Sequence, residues 1–360
     1  MPDRRGRVPA RGIQPRITIG HSHMAKPTII PRETFKISST RSTSELHISG
    51  GLRALEQAPR LWSLGPLLSK GKQVALKPMA IQQIDQAAKD AGQYLFGGDQ
   101  VSGLGTPLVS RMWTPLNGPT TEGLQTSDLW AGIAGNASDA GNETYAMLAR
   151  NIAYSLRAAG IRLRDASDGF HNQLIAALQE RAVDGRRFTN VAATDIHLAF
   201  HSVLSELASA RDYLAATLAN RFGAPLKVDA MNRLAEWLGK SANTDLRSCK
   251  VVAAALAAYD SSAADPWLYE LTEYRNQFLH RSPFGTARNS HLLQLSIKAV
   301  GELQSPALHM PLGEDDRWAP GEDALKRFIT LYRRMIDLLS LAADNAPYDS
   351  TPPHFVVSDA

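Results

Sequence analysis

The spacing of apolar residues changes character near residue 142. From there Leu148, Ile152, Leu156, Ala159, Leu163, Ala166, Phe170, Leu174 and Ala177 recur at steps of three and four, the stripe of a long amphipathic helix. After the turn GRRFTN (185–190), Ile196, Phe200, Val203, Leu207, Leu214 and Leu218 repeat the stripe as far as Gly223, a residue suited to a left-handed C-terminal cap. The two stripes predict two long antiparallel helices. Shorter stripes predict helices over about 229–238 and 244–259. Asp265 and Pro266 then form a start signal, an N-cap acid followed by proline at the first helical position. The helix they open turns Trp267, Leu268, Leu271, Tyr274 and Phe278 inward, and Pro283 stops it. Across 291–312 the period shortens to two, with Leu293, Leu295 and Ile297 alternating with polar residues and 307–312 supplying a return strand. A final helix over about 322–344 carries Leu325, Phe328, Ile329, Tyr332, Ile336 and Leu339.

The first 140 residues lack such order. One stripe, over 78–96, predicts a helix stopped by Gly97 and Gly98. Nine glycines and three prolines between Gly97 and Gly141 predict loops. Residues 1–60 show no period, and Pro, Ser, Thr and Arg dominate them. The expected architecture is therefore all-α. A helical bundle spans 141–345, with a small β-hairpin before its last helix. A basic, mostly disordered leader (1–60), a loop-rich segment (61–140) and a flexible tail (346–360) flank it.

Composition narrows the function classes. The chain has 360 residues, 44% of them hydrophobic and 21% charged, enough for a sizeable core. A lone cysteine, Cys249, excludes an intrachain disulfide and a cysteine-built zinc site, and favours a reducing, cytoplasmic setting. No apolar run reaches the roughly 20 residues of a membrane helix. The net charge of +4 is uneven: residues 1–60 hold eleven Lys or Arg against four acids. A basic arm suits nucleic-acid phosphates; without interleaved aromatics it suits a solvated leader better.

The stretch 265-DPWLYELTEYRNQFLHRSPFG-285 carries the chemistry. Its apolar stripe leaves Arg275, Asn276 and His280 as a polar group near the C-terminal end, with Asn276 and His280 one turn apart on one face. Histidine moves a proton near neutral pH, a guanidinium steadies charge that grows on a phosphate, and an amide orients either partner. The combination suits RNA cleavage by the ribose 2′-hydroxyl, which needs no metal. A single histidine must serve as both acid and base, so a two-fold dimer that juxtaposes two such helices would supply the second.

In these residues the sequence resembles the HEPN superfamily, helical bundles with an arginine, a polar residue and, a few residues on, a histidine near the end of a late helix. The matching string is Arg275, Asn276, Gln277, Phe278, Leu279, His280. The long helix 196–223 also resembles the one that precedes the motif helix in such bundles. The resemblance implies an RNA-cleaving or formerly RNA-cleaving domain, commonly a homodimer, from bacterial toxin–antitoxin or antiviral defence systems, with an antitoxin or defence protein as a further partner. It assigns the catalytic roles to Arg275, Asn276 and His280. The branch with a tyrosine two residues after the histidine is not matched, because Ser282 stands there.

Competing readings exist for each residue. Arg275 can pair with Glu270, Glu273 or a neighbouring helix, Asn276 can cap a loop, and His280 can be a cation favoured by the helix dipole. Glu206, Asp212 and His201 on the preceding helix can support the motif from behind, or form a solvated face. Gly239, Lys240 and Ser241 echo a phosphate loop, but Leu234 occupies its first glycine position. His197 and His201 have metal-ligand spacing, but Leu198 stands where a zinc protease needs glutamate. His21 and His23 sit in the leader. Neither a metal nor a cofactor is expected.

Overall fold

In the computed structural model, residues 41–104, 109–116, 124–280, 286–287, 290–312 and 323–351 are described below. The chain begins there with strands β1 (Arg41–Ile48), β2 (Arg53–Ala58), β3 (Leu61–Gly65), β4 (Leu67–Ser69) and β5 (Lys72–Val74), then helix α1 (Ile81–Asp90) and strands β6 (Leu95–Leu104) and β7 (Ser110–Pro115). Helices α2 (Thr126–Asp139) and α3 (Glu143–Gln179), the short strand β8 (Arg187–Phe188) and helix α4 (Ala193–Arg221) follow. Next come α5 (Met231–Leu238), α6 (Lys250–Tyr259) and α7 (Trp267–His280), the strands β9 (Thr286–Ala287), β10 (Ser290–His291), β11 (Leu293–Val300) and β12 (Leu303–His309), and α8 (Ala324–Asp344).

The strands form two five-stranded antiparallel sheets and one two-stranded ribbon, β10-β9. Sheet 1 has the order β3-β2-β1-β6-β7, and sheet 2 the order β5-β4-β12-β11-β8. This overturns the all-α expectation: the fold is mixed α/β. The strands at 293–300 and 303–309 lie in the region where alternation places a hairpin, but they are the middle of sheet 2 rather than an isolated insertion. Residues 41–58, assigned by composition to a disordered leader, are β1, a 3₁₀ turn (Ser49–Gly51) and β2, with Ile48, Leu52 and Ala54 fully buried. The helix expected over 78–96 ends at Asp90, and Gly97 and Gly98 lie inside β6. Residues 1–40, with His21 and His23, and most of the expected tail lie outside the described residues.

The physical reason for the miss lies in the register of sheet 1. Glu45 stands opposite Asp99, His47 opposite Gly97 and Arg53, and Asp99 opposite Trp113. All of these face α3, so a buried face of the sheet is built from charged residues and glycine. Such a face reads as loop, because an apolar alternation never develops. Gly97 is required there: a β-carbon would come within 1.8 Å of the Trp113 ring.

The helices obey the simpler rule. Leu156, Leu163, Phe170 and Leu174 of α3 are buried, and so are Phe200, Val203, Leu207 and Leu214 of α4. The core they form runs without interruption into both sheets, through Leu46, Ile48, Leu295 and Leu308 among others. No helix among the described residues is long and apolar enough to cross a membrane.

Candidate functional site

α7 is fixed to its neighbours at several points. Arg211 of α4, 7% exposed, donates to the Thr272 hydroxyl of α7. It also grips Asp212 with Nε (2.9 Å) and Nη2 (3.0 Å). Asp212 Oδ1 in turn accepts the Met231 N–H at the start of α5 (3.2 Å). On the other side, Glu270 pairs with Arg327 and Asp265 with Arg334, both arginines of α8. Phe328 of α8 meets Phe200 of α4 (ring centroids 4.8 Å apart) and Tyr274 of α7 (6.3 Å). The C-terminal half of α7 therefore approaches the N-terminal half of α4, the stretch that bears His201 and Glu206.

The motif sits at the far end of this anchored helix. Arg275 and Asn276 are half-buried. Among the described residues no side chain pairs with either of them, and Glu270, one of the two acids of the arginine's competing reading, is taken by Arg327. The backbone of His280 closes α7; its side chain lies outside the described residues. Asp212 bridges Arg211, which holds Thr272 of α7, and the start of α5. Glu206 and His201 are half-buried on α4. Among the described residues no group of three His, Cys, Asp or Glu side chains is placed to hold a metal ion.

A second polar constellation escaped the sequence reading. It lies between sheet 1 and α3. Arg53, 3% exposed, donates to Ser167 Oγ (2.6 Å) and Asp168 Oδ1 (2.8 Å) and lies 4.0 Å from Glu45. Arg111 donates to Asp168 Oδ2 (2.6 Å) and pairs with Asp99. Burial works against the Arg111 cation, but the hydrogen bonds and charges of Asp168 and then Asp99 outweigh it and raise its pKa. Burial raises the Glu45 carboxyl against the opposing pull of Arg53. His47 is completely buried beside the rings of Trp113 (4.9 Å) and Phe96 (6.2 Å), and neither ring nitrogen has a partner. Burial, reinforced by Arg53 and Arg111, holds its pKa well below the ordinary histidine value, so it stays neutral.

Each acid of this layer faces a cation; of its two histidines, His171 holds the Gly51 carbonyl through Nδ1 (2.8 Å), and His47 has no proton-accepting neighbour among the described residues. The arrangement clamps sheet 1 to α3. The signal that points to it in sequence is the polar alternation of Glu45 and His47 along β1, which apolar patterning passes over. Compared with protein-family models, curated proteins and solved structures, the chain has no match. The functional reading therefore rests on the residues themselves.

Proposed function

We propose that the chain is a metal-independent endoribonuclease that works from the C-terminal end of α7, with Arg275, Asn276 and His280 as its catalytic set and a homodimer as its active form. The observation that carries the reading is that α7 is pinned through Thr272, Glu270 and Asp265, while the motif cation Arg275 is claimed by no acid among the described residues. The six-residue resemblance to HEPN ribonucleases supports the same chemistry, and with it a place in a toxin or antiviral defence system. The two sheets lie outside that resemblance.

In this scheme His280 takes the proton of a ribose 2′-hydroxyl, whose oxygen attacks the adjacent phosphorus. Arg275 steadies the charge of the phosphorane. The P–O5′ bond breaks, and the departing 5′-oxygen takes a proton from the acid that the second protomer's motif supplies. The products are a 2′,3′-cyclic phosphate and a free 5′-hydroxyl.

Purified protein should cleave RNA in excess EDTA, leave 2′,3′-cyclic ends and ignore 2′-deoxy substrates. Arg275→Ala and His280→Ala should each lose on the order of 10²-fold or more in rate, as removal of a charge-stabilising or acid–base group does. Asn276→Ala should lose less. Circular dichroism should not change. If both alanine variants cleave like the parent, or if no cleavage is found with or without a trigger extract, the reading fails. RNA binding that survives without cleavage would assign the helix end to a binding module.

A further inference from the structure

Sheet 2 carries a polar cluster that the α7 chemistry does not use. In the ladder of β11 and β12, Gln294 stands opposite His309 and Ser296 opposite Ala307. Residues two apart on a strand share a face, so Ser296 and His309 are diagonal neighbours on one side of the sheet. The chain then returns to the same spot. Asp323 bridges Pro311, and the Ala324 N–H at the start of α8 donates to Met310 O (2.8 Å). The first turn of α8 is thereby tied to the end of β12, and Asp323 arrives beside His309.

The three side chains follow one another in order. Ser296 Oγ lies 2.6 Å from His309 Nε2, and His309 Nδ1 lies 3.8 Å from Asp323 Oδ2. Asp323 is immobilised as the cap of α8: Oδ2 accepts the Met310 N–H (2.9 Å) and Oδ1 the Lys326 N–H (2.9 Å). A carboxyl on the Nδ1 side favours the tautomer with its proton there, which leaves Nε2 to accept from the serine hydroxyl. The other acceptor for that hydroxyl, Ala307 O, is farther away at 3.3 Å. Burial lowers the His309 pKa, Asp323 opposes the shift and Lys326 adds to it, so the imidazole is neutral at pH 7 and can take a proton. Ser296 is half-buried and the His309 side chain 22% exposed, whereas Asp323 is buried. Substrate can reach the first two, and the third is fixed behind them.

We propose that Ser296, His309 and Asp323 form a nucleophilic serine site that hydrolyses carboxylic esters, with Ser296 as nucleophile, His309 as general base and acid, and Asp323 positioning His309. A nucleophile within hydrogen-bond reach of a base, with the base oriented by a third group, is the arrangement this chemistry needs. Ser296 Oγ bonds to the acyl carbon as its proton passes to His309 Nε2. The C–O bond of the ester breaks, and the departing oxygen takes that proton and leaves as the alcohol. Water then adds to the acyl carbon and gives a proton to Nε2; Ser296 Oγ departs, takes the proton back and releases the acid. The 3.8 Å between His309 and Asp323 closes to a hydrogen bond with a small shift of the ring, as catalytic contacts do when substrate binds. Lys298, two residues beyond Ser296 on the same face, and Lys326 have each spent one of an ammonium's three donors on a carbonyl, Asp90 O (3.0 Å) and Gly92 O (2.7 Å). Their positive charge opposes the negative charge that grows on the acyl oxygen. The acid at this strand, Asp184, holds the Ile297 N–H (2.7 Å).

The site shares no residue with the α7 motif. Ester hydrolysis therefore stands or falls independently of RNA cleavage.

The test treats the full chain with a fluorophosphonate, whose fluoride a nucleophilic serine displaces, and with para-nitrophenyl acetate as substrate. Peptide mapping should find the phosphonyl group on Ser296 in the native chain and not in the heat-unfolded one. Ser296→Ala should abolish both labelling and release of nitrophenol. His309→Gln should slow both on the order of 10²-fold or more, as loss of a general base does, with the circular dichroism of the parent. Asp323→Asn, which keeps an acceptor for the Lys326 N–H, should slow labelling and move its pH midpoint downward, because His309 loses the charge that raises its pKa; a purely structural cap would leave the midpoint in place. Arg275→Ala should be labelled as the parent is. The proposal is overturned if Ser296 of the native chain stays unlabelled at millimolar probe, or if His309→Gln is labelled at the parent's rate. An unmoved midpoint in Asp323→Asn overturns the role given to Asp323.

Discussion

β1 and α3 run through the same core but are held by different forces. α3 buries Ala149, Ile152, Leu156, Ala159, Leu163, Ala166, Phe170 and Leu174, so its attachment is spread over many apolar contacts of modest individual worth. β1 turns Glu45 and His47 toward the same helix, and its neighbour β2 turns Arg53; their attachment passes through Ser167 and Asp168. A distributed contact tolerates the loss of one member. A buried ionic contact is less tolerant, because the partner left behind loses a charged hydrogen bond where water cannot replace it.

The largest expected effect follows directly. Asp168 accepts from both Arg53 and Arg111, and Arg53 is almost wholly buried. Asp168 is partly exposed, and Glu45 and Asp99 stay beside the two arginines, so Asp168→Ala should cost roughly 1.5–3 kcal/mol, the worth of a hydrogen bond to a charged group, read as a shifted midpoint in urea. Arg157→Ala is the control inside the helical half. Its pair with Asp128 is largely exposed, and such pairs are worth about 1 kcal/mol or less. Equal losses in the two variants would mean that the ionic layer is no more critical than the surface.

The same contrast explains what could be read in the sequence. The stripes placed α3 and α4 within a few residues of Glu143–Gln179 and Ala193–Arg221, because one face of each helix is apolar and the other is not. Sheet 1 hid because its inner face carries Glu45, His47, Arg53, Gly97 and Asp99, residues that composition assigns to solvent or turns. β6 was further masked by Gly97 and Gly98, which lie inside the strand rather than at a helix stop, Gly97 making room for the Trp113 ring. The α7 string was legible as spacing alone. The side chain that claims Glu270, leaving Arg275 without it, is Arg327, 57 residues away in sequence, and no local pattern could reveal that pairing.

Acid should sharpen the comparison at intermediate size. Burial lowers the pKa values of His47, His171 and His309, and the first two lie in the layer between sheet 1 and α3. Below the ordinary histidine value near 6.5 the unfolded chain takes up protons that the folded chain refuses, so stability falls as pH falls. At pH 5.5 each fully protected histidine contributes a loss of about 1.4 kcal/mol. The raised carboxyls of Glu45 and Asp323 work in the opposite direction. Folded, they prefer the neutral form, so acidification toward their raised pKa values relieves part of their burial cost. The net expectation is a urea midpoint lower at pH 5.5 than at pH 7, with His47→Phe removing about one histidine's share of the difference. An unchanged pH dependence in His47→Phe would refute the assignment of that share to His47.

The smallest effect is expected at the start of α3. Asn142 caps the helix: its Oδ1 accepts the Tyr145 N–H (3.1 Å) and its Nδ2 donates to the Tyr348 hydroxyl (2.9 Å). Asn142→Ala should cost about 1 kcal/mol, the usual worth of an N-cap. The location of that loss matters more than its size. α3 keeps its whole buried stripe in the variant, so only its first turn is released, and faster amide exchange should be confined to the residues just after 142. Tyr145 meets Tyr348 edge-on with centroids 5.0 Å apart, a contact that the variant keeps. If amides of β1 and β6 loosen by the same amount, α3 and sheet 1 open as one cooperative unit. The distinction between a distributed and a concentrated attachment would then describe the contacts but not the energetics.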